Sequence, residues 1–235
     1  MDQIYNDDGK PFHVGTRLAA GGEGTVFRLA NAADYCVKIY HKTHLPDSKT
    51  TLKLNLLKSK YRVLDGYAAL PGSLAHLTNV DKSNPVGVFL KLIKGNDIFE
   101  VYNPSSRDEH FPNRRFDFLV RVALNLSRAF NVIHENAIVL GDISEKNVKV
   151  RADGTVTIID CDSFQVHTGN FIFRCPVGTP LWTPPELHGV DLATVDRTIN
   201  HDNFGLAQLI FLLLFAGRYP FAGVSPPGQY LPPDE

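Results

Sequence analysis

Most of the information in this sequence lies in two short stretches, Gly141-Asp142-Ile143-Ser144-Glu145-Lys146-Asn147 and Ile158-Ile159-Asp160-Cys161-Asp162. Phosphoryl transfer needs an acidic side chain beside the attacking hydroxyl, and oxygen ligands that hold magnesium against a triphosphate. Asp142, Asn147 and Asp160 supply that set in order. The alternative is that they are three polar loop residues that cap turns. The complete ordered set favours phosphoryl transfer.

A glycine-rich turn near the N-terminus adds to this interpretation. Its glycines, Gly21, Gly22 and Gly24, would let backbone N–H groups approach phosphate oxygens without a Cβ in the way. By itself the pattern favours a plain glycine-rich hairpin. A lone lysine in a strand, such as Lys38, is usually an edge or surface residue. Because Lys38 closely follows the turn, its ammonium group could reach phosphates that the turn covers.

Hydrophobic spacing and turn residues predict strands first and helices later. The predicted elements are strands near 14–20, 25–29, 35–40 and 85–93, a lysine-rich helical stretch over 47–64, an amphipathic helix over 114–135, strands near 147–150 and 155–159, an irregular segment over 160–199 and an apolar helix over 202–217. The lysine run is expected to be a solvated helix face, with binding of a partner or of phosphates as the alternative.

Composition limits the class of protein. The chain has 235 residues, of which 43% are apolar and 21% charged, as in a folded globular protein. Residues 1–94 carry 13 Lys and Arg against 8 Asp and Glu, whereas the remainder carries 11 against 17. Neither part is basic enough to predict nucleic acid as a partner. Three scattered cysteines indicate a reducing compartment and no zinc site. No signal peptide and no membrane helix are expected, which predicts a cytoplasmic protein.

The two stretches resemble the catalytic signature of the protein kinases. Asp142 and Asn147 fall where the kinase catalytic loop has its Asp and Asn, and Asp160 falls where the D-F-G motif has its metal-binding Asp. Residues 178–186 resemble the end of a kinase activation segment. Asp202 is similar to the buried Asp that anchors the catalytic loop. The resemblance covers nearly the whole chain.

This resemblance implies an α+β, bilobal protein kinase-like fold. The N-lobe would be β-rich and span residues 1–94, and the mainly helical C-lobe would span 95–224. Because kinases have several more helices at this point, the C-lobe is expected to be truncated. Residues 225–235 are expected to be a Pro-rich tail or a cut end.

For the site, the resemblance implies ATP and Mg²⁺ as cofactors, with the nucleotide between the lobes. Asp142 would be the catalytic base, Lys38 would contact the phosphates, and Asn147 and Asp160 would hold the metal. Lys146 would replace the charge of the usual catalytic-loop lysine. The other nucleotide-binding residues would include the glycines of the turn, Gly21, Gly22 and Gly24. An apolar roof would be formed by Leu18, Val26 and Cys36. Leu90 would be the gatekeeper, and Lys91 and Ile93 would be the hinge residues that face the adenine.

Three further stretches, 160–165, 183–187 and 201–207, resemble one bacterial group of kinases. These Ser/Thr kinases are associated with stress-response and tellurium-resistance gene clusters, together with a 2C-type phosphatase and a von Willebrand factor A-domain protein. The expected function is therefore transfer of the γ-phosphate of ATP to Ser or Thr hydroxyls of a protein substrate in bacterial stress signalling. The alternatives are a pseudokinase scaffold that binds nucleotide and a small-molecule phosphotransferase.

The sequence also departs from the kinase pattern. The His and Arg that precede the catalytic Asp are Leu140 and Gly141, so a phosphate on the activation segment would lack its usual arginine. Lys146 and Arg174 are the candidate replacements, and basal activity is predicted not to depend on such a phosphate. No Glu occurs between Glu23 and Glu100, so the usual carboxylate partner of Lys38 is missing. Asp160, Glu23 and Asp47 remain as candidates for that partner.

Overall fold

The chain divides into two compact units, according to a computed structural model that describes residues 2–169 and 171–223. The first unit comprises Met1–Asp65 and Ala69–Ile93, and the second comprises Gly66–Ala68 and the chain from Lys94 onward. The boundary predicted from the sequence was residue 94. The predicted Pro-rich tail at 225–235 lies outside the described residues.

The first unit is built on a six-stranded sheet in which every neighbouring pair of strands is antiparallel. The strand order is β1-β2-β3-β4-β6-β5. These strands are β1 (Gln3–Tyr5), β2 (Pro11–Ala20), β3 (Gly24–Leu29), β4 (Tyr35–Tyr40), β5 (Ser73–Ala75) and β6 (Gly87–Lys91). The four predicted strands are present. The two additional ones, β1 and β5, are three residues long, too short to show an alternating pattern.

Helix α1 (Ser48–Ser59) is the one α-helix among the described residues of the first unit. It begins at Asp47, whose carboxylate accepts a hydrogen bond from the Thr50 amide at 2.7 Å and so satisfies one exposed donor of the first turn. Leu54 and Leu57 lie on the inner side of the helix and are fully buried.

The lysines of α1 do not form the uniformly solvated face that their number predicts. Lys53 is buried, with 7% of its surface exposed. Lys58 reaches away from the helix to Asp7, with 2.8 Å between Nζ and the carboxylate. The prediction is wrong for these two residues, because Lys53 is buried and Lys58 pairs with a specific carboxylate.

The second unit combines helices with two small antiparallel sheets. Its elements are β7 (Asn96–Asp97), α2 (Ile98–Tyr102), α3 (Pro104–His110), α4 (Phe116–Glu135), β8 (Ile138–Val139), β9 (Val148–Val150), β10 (Val156–Ile158), β11 (Gln165–Thr168), β12 (Phe171–Phe173) and α5 (Ile199–Leu214). The sheet orders are β10-β9-β7 and β12-β11-β8.

Helices α4 and α5 form the core of this unit. The apolar residues of α4 recur at helical spacing and are buried, among them Val122, Leu126, Phe130 and Ile133. Leu209, at the middle of α5, is also fully buried. No helix within residues 2–169 and 171–223 is both long enough and apolar enough to cross a membrane.

The segment over 160–199 is more ordered than predicted. Strands β11 and β12 form an antiparallel pair in which Val166 lies opposite Phe173, and β11 also pairs with β8. The prediction of an irregular segment is therefore wrong over these strands. Strand β11 has one apolar residue in four, and β12 is only three residues long, so neither gives a clear strand signal.

Candidate active site

The glycine-rich turn joins β2 to β3 and is closed by backbone hydrogen bonds. The Gly21 amide donates to the Gly24 carbonyl at 2.9 Å. A Cβ at Gly22 would meet no atom within 4 Å, which leaves room for a ligand. A Cβ at Gly24 would lie 2.6 Å from the Ile39 carbonyl oxygen, so this third glycine is needed for close packing of β3 on β4.

His41 holds the turn from the neighbouring strand. Its backbone amide donates to the Glu23 carbonyl at 2.8 Å, and its Nδ1 lies 3.1 Å from the Gly22 carbonyl oxygen. Its Nε2 lies 3.4 Å from the Thr25 hydroxyl. The conformation of the turn is therefore fixed by a side chain that no motif identified.

Lys38 lies on β4 and is buried, with 6% of its surface exposed. Its Nζ is 3.6 Å from a Glu23 carboxylate oxygen and 5.7 Å from the centre of the Tyr40 ring. Of the three carboxylates suggested by the sequence, Glu23 is thus in ion-pair distance within the first unit. Asp47 instead caps α1, and the hydrogen bond that it accepts from the Thr50 amide lowers its pKa. A buried ammonium beside the glycine-rich turn is suited to binding phosphate.

The predicted apolar residues of the first unit largely come together. Cys36 and Leu90 belong to one buried cluster, and Val26 packs against it. Leu18 is exposed and is not among the residues of this cluster. Burial raises the pKa of the Cys36 thiol to about 11, because the thiolate is poorly solvated there.

The two predicted hinge residues lie at the end of β6. Lys91 is its last residue and forms an ion pair with Asp65, with 2.8 Å between Nζ and the carboxylate. Ile93 is the last residue of the first unit. Their adenine-binding role stays a prediction.

In the second unit, one buried carboxylate fixes the loop that precedes Asp142. Asp202, at the start of α5, has 1% of its surface exposed. Its two oxygens accept hydrogen bonds from the amides of Leu140 at 2.7 Å and Gly141 at 2.9 Å. His134 on α4 lies 2.8 Å from the same carboxylate. The loop is therefore placed by α5, as expected for Asp202.

Asp142 lies partly exposed at the turn that follows. Thr179 Oγ1 donates to its carboxylate at 3.0 Å, and the Asn147 side-chain amide donates to its backbone carbonyl at 3.2 Å. The first contact orients the carboxylate and the second ties the two ends of the loop together. A held, solvent-accessible carboxylate of this kind can accept a proton from a bound hydroxyl.

Asn147 and Asp160 come from adjacent stretches of chain. The Ile159 amide donates to the Asn147 carbonyl at 2.8 Å, which places Asn147 beside the residue that precedes Asp160. Asp160 is exposed and has a left-handed backbone conformation, φ 59°. Because the Asn147 NH₂ group is used on Asp142, its amide oxygen is the atom that can face a metal.

These two residues fit magnesium, which prefers carboxylate and amide oxygens. Within residues 2–169 and 171–223, no group of three or more His, Cys, Asp or Glu side chains is placed to hold a metal ion. Two protein oxygens leave most of an octahedral shell to phosphate and water, which is the usual arrangement for magnesium bound with a nucleotide.

Comparisons with known proteins agree with this geometry, although no family model matches the chain. Protein kinase YegI of Escherichia coli K12 is 35% identical over 224 residues, which cover 94% of this chain and 34% of YegI. Serine/threonine-protein kinase STY17 of Arabidopsis thaliana is 27% identical over 108 residues, 46% of this chain and 18% of the plant protein. The chain thus spans about a third of the length of YegI.

Among solved structures, the ROP18 kinase domain in complex with AMP-PNP and sucrose matches with a TM-score of 0.60 and 18% identity. The match covers 90% of this chain and 66% of that one. The chain has a protein kinase-like fold. The expected α+β kinase-like fold is confirmed, with a β-rich first unit and a second unit built around α4 and α5.

Of the two predicted replacements for the missing arginine, Arg174 pairs with Asp196 at 2.6 Å. Lys146 is exposed on the turn at 145–147, and its role stays a prediction. The arginine that lies beside Gly141 is Arg197, which sequence reasoning missed. Its only sequence signal is the glycine at position 141, whose missing side chain leaves the space that Arg197 enters.

Two other contacts of the kinase-like catalytic loop were also missed. The Tyr102 hydroxyl on α2 donates to the Glu145 carboxylate, and burial together with this carboxylate raises the pKa of Tyr102. Lys149 on β9 pairs with Asp97 at 2.7 Å. Both pairs join residues more than 40 positions apart, and single polar residues at such separations produce no recognisable motif.

Proposed function

We propose that this chain is an ATP-dependent protein kinase that transfers the γ-phosphate of ATP to Ser or Thr hydroxyls. The observation that carries the proposal is the loop held by Asp202, which presents Asp142 to solvent with its carboxylate held by Thr179. The similarity to proteins named as kinases supports it, and the AMP-PNP in the ROP18 structure supports ATP as the nucleotide.

In the proposed reaction, Asp142 accepts the proton of the attacking hydroxyl. Lys38 binds phosphate oxygens below the glycine-rich turn, and Asn147 and Asp160 provide the protein ligands for Mg²⁺. When bound, the metal neutralises charge on the triphosphate. Lys146 supplies a further positive charge near the transferred group. Such a reaction depends on positioning and electrostatics rather than on covalent chemistry.

The test is phosphate transfer from labelled ATP to generic protein, peptide and small-molecule acceptors. We expect transfer to Ser or Thr of protein or peptide acceptors. Asp142→Asn should lower the rate by about 10² or more and leave binding of a non-hydrolysable ATP analogue unchanged. Asp153→Asn, in the exposed turn between β9 and β10, is the matched control and should keep the rate of the unmodified protein.

Three outcomes would contradict the proposal. Transfer to small molecules alone would indicate a small-molecule phosphotransferase. Nucleotide binding without any transfer would indicate a pseudokinase scaffold. Full activity in Asp142→Asn would exclude this residue as the base.

We also propose that the reaction takes place in the bacterial cytoplasm, in stress or tellurium-resistance signalling, with a 2C-type phosphatase and a von Willebrand factor A-domain protein as partners. The support is the resemblance of residues 160–165, 183–187 and 201–207 to that group of kinases. The test is dephosphorylation of this chain and its products by a purified 2C-type phosphatase. A phosphatase without effect on either would contradict the partnership.

A further inference from the structure

Arg197 lies two residues before α5 and is one of the most buried charged residues, with 2% of its surface exposed. Its backbone is held from both sides by Gln165 on β11. The Arg197 amide donates to Gln165 Oε1 at 2.9 Å, and Gln165 Nε2 donates to the Arg197 carbonyl at 2.7 Å. Gln165 is itself fully buried, so the starting point of the arginine side chain is rigid.

The guanidinium group joins two segments that the proposed reaction requires. One terminal nitrogen donates to the carbonyl of Gly141, directly before Asp142. The other donates to the carbonyl of Val177, two residues before Thr179. Since Thr179 in turn donates to Asp142, the arginine closes a ring of contacts between the catalytic loop and the activation segment.

Two glycines make room for this side chain. A Cβ at Gly141 would lie 3.1 Å from one terminal nitrogen of Arg197 and 2.8 Å from Cys175, and Gly141 also has a φ of +76°. A Cβ at Gly178 would lie 3.0 Å from the other terminal nitrogen. Position 141, where the kinase pattern has an arginine, is thus a glycine, and the Arg197 side chain occupies the space beside it.

Burial of the Arg197 guanidinium costs electrostatic free energy. Within residues 2–169 and 171–223, no carboxylate lies in ion-pair distance of the guanidinium, and its Nε has no hydrogen-bond partner. A buried charge held only by carbonyl dipoles contributes little to stability and usually costs free energy. The arginine instead fixes geometry, because its planar guanidinium holds two carbonyl acceptors in defined positions at once.

We infer that Arg197 is a positioning residue that keeps the activation segment ordered against the catalytic loop without phosphorylation. This inference rests on the proposed kinase function. In kinases with an Arg before the catalytic Asp, a phosphate on the activation segment supplies the link between the two. Here a cation fixed near α5 binds backbone carbonyls of both segments, and no added anion is needed.

The test combines hydrogen exchange with kinetics on the whole chain. In Arg197→Met, amide exchange over 174–183 should rise at least tenfold while exchange in α4 stays unchanged. The kcat should fall at least tenfold, and the KM for ATP should stay within twofold. Arg197→Lys keeps the charge but not the two-pronged geometry, and should give intermediate values. Arg151→Met, at an exposed arginine in the turn between β9 and β10, is the control and should change neither quantity by more than twofold.

The unmodified protein provides an arm that needs no variant. After complete dephosphorylation, confirmed by mass spectrometry, amides over 174–183 should exchange at least tenfold more slowly than in a peptide of the same sequence. Exchange as fast as in the peptide would overturn the inference, and so would Arg197→Met with unchanged exchange and kcat. If the unmodified protein transfers no phosphate, the proposed function fails, and the exchange results still decide the role of Arg197.

Discussion

Cys36 illustrates how burial changes the chemistry of a single residue. Its thiol lies in the apolar cluster of the first unit and has a pKa of about 11 instead of the ordinary 9.0. Only the thiolate reacts with alkylating reagents, and its fraction falls about tenfold for each pH unit below the pKa. At pH 7.5 we therefore expect iodoacetamide to label Cys36 about 10² times more slowly than a model cysteine peptide, with the rate still rising at pH 10.

Peptide mapping by mass spectrometry over a pH series measures this rate, and labelling after denaturation in urea is the control. A labelling rate that levels off below pH 9 would show that the thiol is not buried as described. The same measurement with ATP present tests whether the nucleotide covers the cluster.

The residues that carry the site were recognisable from the sequence to very different degrees. Asp142, Asn147 and Asp160 stand in a fixed order, so their spacing and its resemblance to the kinase motifs were enough to predict them as site residues. Glu23 could be named only as one of three candidates, since an ion pair across a turn depends on how the turn folds. Arg197 left no motif, because its partners are backbone carbonyls whose side chains carry no information about it.

At the scale of elements, the N-terminus of α1 depends on one side chain. Asp47 accepts the Thr50 amide, and an unsatisfied amide at this position weakens the first turn. Asp47→Ala should lower the free energy of unfolding by about 1 kcal/mol. Urea denaturation measures the loss, and Asp47→Asn, which keeps an accepting oxygen, should lose less. Equal stability in Asp47→Ala would mean that the cap contributes nothing.

The long elements were predicted well and the short ones poorly. Helix α4 buries a continuous stripe, which produces the 3.6-residue period over many turns, and α5 was predicted from its long apolar run. Strands β1, β5, β8 and β12 are two or three residues long, and they are defined by their pairing partners rather than by their own composition. Hydrogen bonding between distant segments therefore decides what local pattern cannot.

On the scale of the whole molecule, acid stability depends on Asp7. Burial opposes its ionisation, but hydrogen bonds from Lys58, His76 and the Leu74 amide outweigh burial and hold its pKa at about 2, below the ordinary 3.8. The folded state binds a proton less readily than the unfolded state. The stabilisation is therefore fully present above pH 4 and is lost as the pH falls through 2.

We expect the Asp7 contribution to be about 1–2 kcal/mol after allowance for solvent screening of a partly exposed group. The measurement is the free energy of unfolding between pH 5 and pH 2 for the unmodified protein and for Asp7→Asn. The variant should be less stable at pH 5, and the two curves should converge towards pH 2. Parallel curves would show that other carboxylates control acid unfolding.

The space shared by Gly141, Gly178 and Arg197 restricts how this loop can evolve. A single step from Gly141 to arginine would put a Cβ 2.8 Å from Cys175 and a side chain where the Arg197 guanidinium lies. Losing Arg197 first would leave the loop with neither cation. An arginine at position 141 and an arginine at position 197 are therefore alternative arrangements. A chain that changes from one to the other must pass through a variant that has both arginines and is crowded, or through one that has neither. The residues at positions 141, 178 and 197 should therefore be inherited together.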